Sequence, residues 1–315
     1  MCFVAQLPAP VIPLDGNLSA VEQYGDYNSY DLEQDGTRNF AEIYTDGDYN
    51  KESFVDQDGA WNTSTVDQDG GNYNWVDVTQ ENMDPENGWD LNFSYIRQHG
   101  DHNDATVVQN HQYIDAHPGP LVAYTFQPGT YNSSTQQQKG MIDLAIVYQN
   151  GDYGTALQNQ GMSSYGIDGK AYGSLAVIGQ IGSAYGSEAE QEQHGAWNVA
   201  GIIQGSDYSQ ARQLQVSDQE GHINNLLEMP NVAGIIQLEG AHTHNNEAYQ
   251  VQYFDGSTQY GNWAGVFQMG GHNTSMQQQV GGNNASGVIQ VGIGNNSDVR
   301  QTSTGASMPF TNPWD

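Results

Sequence analysis

The chain has 315 residues, 37% hydrophobic and 14% charged, with a formal net charge of −30. That hydrophobic share lies below the ~45–50% of ordinary domains and argues against a large aliphatic core, while 19 Tyr and 6 Trp are too many for a solvated, disordered chain. Seven Lys and Arg against 37 Asp and Glu argue against binding to a nucleic-acid backbone or attraction to an anionic membrane.

In chain order, residues 1–16 are apolar and carry Pro8, Pro10 and Pro13, which bars them from a central strand. They read as a Pro-rich N-terminal tail, or as an arm that packs on a neighbouring subunit. The stretch has no positively charged start and is not a recognisable signal peptide. Its Cys2 is the sole cysteine, which excludes an internal disulfide and a cysteine metal cluster. No run of 18 apolar residues occurs, so no transmembrane segment is expected.

Residues 17–301 repeat one frame: small–x–apolar–x–Gln–x–Gly–x–x–Asn, with a new Gln about eleven residues on. The Gln recurs at Gln23, Gln34, Gln57, Gln68, Gln98, Gln109, Gln127, Gln138, Gln149, Gln180, Gln193, Gln204, Gln237, Gln268, Gln279, Gln290 and Gln301. Weaker copies sit at Gln80, Gln160, Gln215 and Gln252, and Thr45 keeps the frame without the amide. The Asn recurs at Asn39, Asn62, Asn103, Asn198, Asn273, Asn284 and Asn295. Small, apolar and Gln positions alternate at period two and therefore share one face of a β-strand, while residues such as Asp56 and Asp67 face the other way. The Gly two residues after the Gln is turn chemistry. Each unit is thus a strand and a tight turn, and two units, about 22 residues, make one strand–turn–strand rung.

One rung cannot bury its own face, so rungs must stack. Stacking at ~4.8 Å places Gln over Gln and Asn over Asn, and the inward amides then bond up and down the stack. The fold class predicted is all-β: a parallel β-solenoid of roughly 11 two-strand rungs. Loop insertions interrupt it at 81–92, 113–121, 162–171, 222–231 and 255–261. The Gln and Asn columns are the predicted structural ladder, and with it the self-assembly surface. Residues 302–315, with Pro309, Phe310, Pro313 and Trp314, read as a C-terminal tail or cap.

Other constellations are thinner. Asp35, Asp46, Asp58 and Asp69 follow the Gln position of successive units, so Asp35 should stack near Asp58 and Asp46 near Asp69. Stacked carboxylates suit Ca²⁺, but a solvated acidic face explains them more simply. Aromatic residues precede the Asn at Tyr27, Tyr49, Trp61, Tyr73 and Trp197, at turns and pointing outward, as a ladder that stiffens the solenoid or contacts other filaments or carbohydrate. His242 and His244 share a strand face, with His222 and His272 elsewhere, but lack a third ligand at zinc spacing. No metal site, cofactor or catalytic motif is expected, and the chain is not read as an enzyme.

Gln98-His-Gly100-Asp-His-Asn103-Asp-Ala105 ending at Gln109, and Gln193-His-Gly195-Ala-Trp-Asn198-Val-Ala200 ending at Gln204, resemble the curlin repeat of curli-type functional amyloid fibres. The resemblance implies a subunit secreted through an outer-membrane channel and polymerised outside the cell with help from a nucleator. It also implies a role in biofilm matrix or surface adhesion. The uncapped ends of the solenoid independently predict head-to-tail addition of identical subunits. The alternative is a monomeric solenoid that binds polysaccharide, ice or a host surface.

Overall fold

The computed structural model describes residues 16–49, 53–82, 91–111, 119–161, 171–182, 184–217, 231–238, 244–254 and 261–303. The predicted tails fall almost wholly outside these residues, as do Cys2, His222, His242 and the interiors of the five insertions.

Among the described residues there are twenty-three strands. In chain order they are β1 (Leu18–Tyr24), β2 (Tyr30–Gln34), β3 (Phe40–Asp46), β4 (Ser53–Gly59), β5 (Asn62–Asp69), β6 (Trp75–Asn82), β7 (Asn92–Gln98), β8 (Asp104–His111), β9 (Leu121–Gln127), β10 (Ser133–Met141), β11 (Asp143–Gln149), β12 (Thr155–Gln160), β13 (Ala171–Tyr172), β14 (Leu175–Gln180), β15 (Glu188–Ala196), β16 (Val199–Gly205), β17 (Gln210–Ser217), β18 (Val232–Leu238), β19 (Glu247–Phe254), β20 (Trp263–Gly271), β21 (Thr274–Val280), β22 (Ala285–Ile293) and β23 (Asn296–Thr302). They form two parallel sheets. The first runs β1-β3-β5-β7-β9-β11-β14-β16-β18-β20-β22, and the second β2-β4-β6-β8-β10-β12-β15-β17-β19-β21-β23. Each rung gives one strand to each sheet, so the expected eleven-rung solenoid is the observed architecture, ~50 Å long at parallel-strand spacing.

Period-two alternation decides the packing. In β5, β7 and β8 buried and half-exposed residues alternate without exception. Register repeats the frame: Ala41 over Ser64, Ile43 over Val66, Thr45 over Gln68. The apolar filling is thin. One cluster, including Ile43, Val66, Val78, Ile96 and Val107, fills the early rungs. Another, including Val147, Ile178, Ile202, Ile235 and Val266, lies mostly on the first sheet of the later ones. A third, Leu214, Val216, Val251, Tyr253 and Val280, lies among second-sheet positions that alternation alone would place outward.

The solenoid has two unlike edges. The turns inside each rung, from first to second sheet, are mostly short. The five insertions all fall on the opposite edge, where one rung passes to the next. There β13 pairs with β10 and β15.

Stacked turns bring backbone against backbone. At Gly59 (φ +90°) a Cβ would lie 1.9 Å from the Asn82 carbonyl oxygen, whereas at Gly234 it would meet nothing within 4 Å. Gly59→Ala is therefore expected to destabilise the subunit by ~2 kcal/mol or more. Gly234→Ala is expected to stabilise it by ~0.5–1 kcal/mol. Denaturant midpoints of the two variants check both.

Candidate assembly interface

An inward Gln stands near the end of the buried face of most strands, and its amide nitrogen has two hydrogens to place. Gln57 shows how both are used: Nε2 donates to Gln80 Oε1 in the next rung at 2.8 Å and across the core to the Phe40 carbonyl of the first sheet at 3.0 Å. The same pairing recurs at Gln80, Gln109, Gln193, Gln215, Gln252 and Gln279. First-sheet glutamines reach back to the second-sheet strand of the preceding rung, as Gln98 does to the Trp75 carbonyl at 3.0 Å. The amide thus joins successive rungs and also ties the two sheets together. A buried amide left without such partners would cost ~1–3 kcal/mol.

Two columns follow. In the second sheet Gln34, Gln57, Gln80, Gln109, Gln138, Gln160, Gln193, Gln215, Gln252, Gln279 and Gln301 are joined amide to amide at 2.7–3.1 Å. The copies that look weaker in sequence, Gln80, Gln160, Gln215 and Gln252, are full members. In the first sheet Gln68, Gln98, Gln127, Gln149, Gln180, Gln204, Gln237, Gln268 and Gln290 are joined at 2.8–3.0 Å. Gln23 stands at the head of this column but is exposed. It is in register with Thr45, whose Oγ1 has no partner, so the bonded column begins at Gln68 and not at Gln23.

A third column was not expected. Gln136, Gln158, Gln191, Gln213, Gln250 and Gln277 lie two residues before the second-sheet ladder. They are buried and joined at 2.7–3.0 Å. Each also donates across the core, as Gln136 does to the Tyr124 carbonyl. In the early rungs the same position holds Leu32, Val55, Val78 and Val107. The core therefore changes along its length from apolar to amide on this side.

The Asn residues work mainly on the backbone. Asn62 Nδ2 donates to the Asp58 carbonyl four residues back, Asn198 likewise to His194, and Asn295 to Val291, closing their own turns. Asn39 Oδ1 accepts the Asn62 N–H of the next rung, and Asn103 Oδ1 that of Asn132. Asn273 and Asn284 bond the amides of Asn246 and Asn262, and Asn295 that of Asn273. The first-sheet Asn column is interrupted by Leu121, Asp143 and Ser174. Asp143 is buried, one oxygen accepting the Ser174 N–H and the other without a partner.

On the short-turn edge Tyr27, Tyr49, Tyr73, His102, Tyr131 and Tyr153 stack with ring centroids 4.4–5.9 Å apart, and Tyr185 and Tyr208 continue the row through a tilted and an edge-on contact. Most of them sit at positive φ, for example Tyr49 at 58° and Tyr131 at 55°. That conformation costs an L-residue about 1–2 kcal/mol, and ring stacking returns about 0.5–1.5 kcal/mol. Trp61 and Trp197 hold the same conformation on the other edge, where the Arg38 guanidinium lies 4.7 Å from the Trp61 ring.

Asp46 and Asp69 share one register position, and Asp35 and Asp58 follow the paired Gln34 and Gln57. Among the described residues no three or more His, Cys, Asp or Glu side chains could jointly hold a metal ion. A calcium ion at these pairs would need further ligands from water or a neighbouring subunit. His244 lies 3.5 Å from an Asp207 oxygen. Partial burial raises the carboxyls of Asp56, Asp67, Asp77 and Asp104, and the adjacent acids Asp58, Asp56 and Asp77 push Asp56, Asp77 and Asp104 further up. Complete burial holds Asp143 well above the usual carboxylate range.

A raised carboxyl pKa means that the folded chain binds protons more tightly than the unfolded one. Stability is therefore expected to rise as pH falls from neutral toward the ordinary carboxylate range. Asp143→Asn should stabilise the subunit by ~1–3 kcal/mol at pH 7, with the gain fading in acid; denaturation at several pH values measures both effects. Gln127→Ala, which empties a buried site and orphans the amides of Gln98 and Gln149, should cost ~2–5 kcal/mol. The outward change Asp56→Asn should stay within ~0.5 kcal/mol.

The family model of the curlin associated repeat matches residues 54–81, which run from β4 to β6 and span the Gln57, Gln68 and Gln80 frame. No curated protein matches the chain. Strand, turn and amide positions in that segment recur throughout the other rungs. Over residues 54–81 the chain carries the curlin associated repeat.

Proposed function

We propose that this chain is the structural subunit of an extracellular amyloid-like fibre that grows by head-to-tail addition of identical copies. The observation that carries this reading is the common direction of the glutamine ladders. In every bonded pair Nε2 of one rung donates to Oε1 of the following rung. The first rung therefore presents an acceptor, Gln34, and the last presents donors, Gln290 and Gln301. Leu18 and Ala285 hold equivalent positions at the starts of the two end strands of the first sheet, so β1 of an incoming copy fits over β22 in the register used throughout. Both ends also present strand edges, which template further pairing.

The curlin repeat supports the same reading and extends it to export, to nucleation by an accessory protein and to a part in biofilm matrix or adhesion. A solenoid spanned by a polar core and repeated turns is a structural architecture, in keeping with a non-enzymatic role.

Purified protein in physiological salt is expected to form filaments with a ~4.8 Å meridional reflection. Gln34→Leu and Gln301→Leu, at opposite ends, should each slow elongation about tenfold or more while leaving the subunit's circular dichroism unchanged. A stable monodisperse monomer, or elongation insensitive to both changes, would overturn the proposal.

A further inference from the structure

The outer face of the first sheet changes character along the solenoid. Early rungs carry Glu22, Glu42, Asp67 and Asp69 around a shallow groove. From β16 to β22 the outward rows carry no charged residue, in a chain of net charge −30. Ile203, Ile236, Trp263, Met269 and Ile289 are exposed there, Ile289 at 79%.

These residues form rows along the solenoid axis. A ridge of Ile203, Ile236, Phe267 and Ile289 runs beside a furrow of Gly201, Gly234, Gly265 and Gly287, rung for rung. The furrow opens beside Trp263 and Ala285 into a groove of about 480 Å³. Apart from chain neighbours, no atom of the described residues lies within 4 Å of where a Cβ would stand on these glycines, and their φ is ordinary. Glycine weakens a strand, and no contact among the described residues requires it here.

We propose that this face is the contact between two parallel filaments, each offering the same patch of a second copy of this chain. A two-fold axis parallel to the filaments, between ridge and furrow, sets every Ile or Phe of one copy opposite a Gly of the other. The same operation brings Trp263 opposite Met269 and Val232 opposite Leu238. The absence of charge lets two strongly acidic chains meet here without burying carboxylates. Four strands at ~4.8 Å by about 20 Å of width give roughly 400 Å² per copy, about half of what a stable pair buries. One contact is therefore weak, and pairing requires the multivalence of a filament. The proposal rests on head-to-tail assembly.

The test compares wild-type filaments with those of Gly234→Lys and Gly265→Lys, both outward changes without internal clash. Electron microscopy of the wild type should show paired filaments of like polarity, and the variants single filaments, with pairs reduced at least tenfold and elongation rate retained. Unpaired wild-type filaments, or equal pairing in the variants, would overturn the face while leaving head-to-tail growth intact. Absence of filaments from all three would overturn both. A full-length Val11→Asp, Ile12→Asp chain tests the other occupant: if it too loses pairing, the N-terminal segment covers the face and the copy-on-copy contact is wrong.

Discussion

The structure depends on what a primary amide does with two hydrogens. One bonds across the core and fixes the separation of the sheets, and the other bonds along the axis and fixes the rung register. A leucine in the same place would fill volume but specify neither, because apolar contact has no direction. Asparagine, one methylene shorter, is used at the edges, where the sheets approach each other and a turn must be closed. The division of labour between Gln57, which spans sheets and rungs, and Asn62, which closes its own turn, follows from one methylene of length.

This explains how a chain with little aliphatic content holds a defined fold. Along the interior of the glutamine columns the oxygen accepts from one rung while the nitrogen donates both to the next rung and across the core, so these buried amides carry a small desolvation penalty. Where the pattern lapses, the lapse is visible: Thr45 leaves its hydroxyl without a partner, and Asp143 carries an acid into an amide position.

Rung number, sheet parallelism and the two main ladders were legible because strand alternation and an eleven-residue interval leave few alternatives. The Gln136 column was also written in the sequence, as Gln-x-Gln in Gln158-Asn-Gln160, Gln191-Glu-Gln193 and Gln213-Leu-Gln215, but a frame with one amide per strand hides it. The left-handed backbone at Tyr49 and Tyr131 was not legible, since aromatic residues avoid that conformation unless a neighbour's ring offsets the strain. Nor was the burial of Leu214 and Val251, which alternation would place in solvent.

The shared direction of the glutamine side chains also has an electrical consequence. Within the glutamine columns the amide dipoles point one way and add, as in a helix, while the asparagine amides, which donate to the preceding rung as Asn92 does to Asn62 and Asn295 to Asn273, oppose them in part. The rung whose glutamine nitrogens have no following rung, that of Gln290 and Gln301, is the positive end of those columns. The early rungs, with Glu22, Asp26, Asp31 and Glu33, lie at the opposite end, so the head-to-tail order proposed above would set acidic side chains against that positive end.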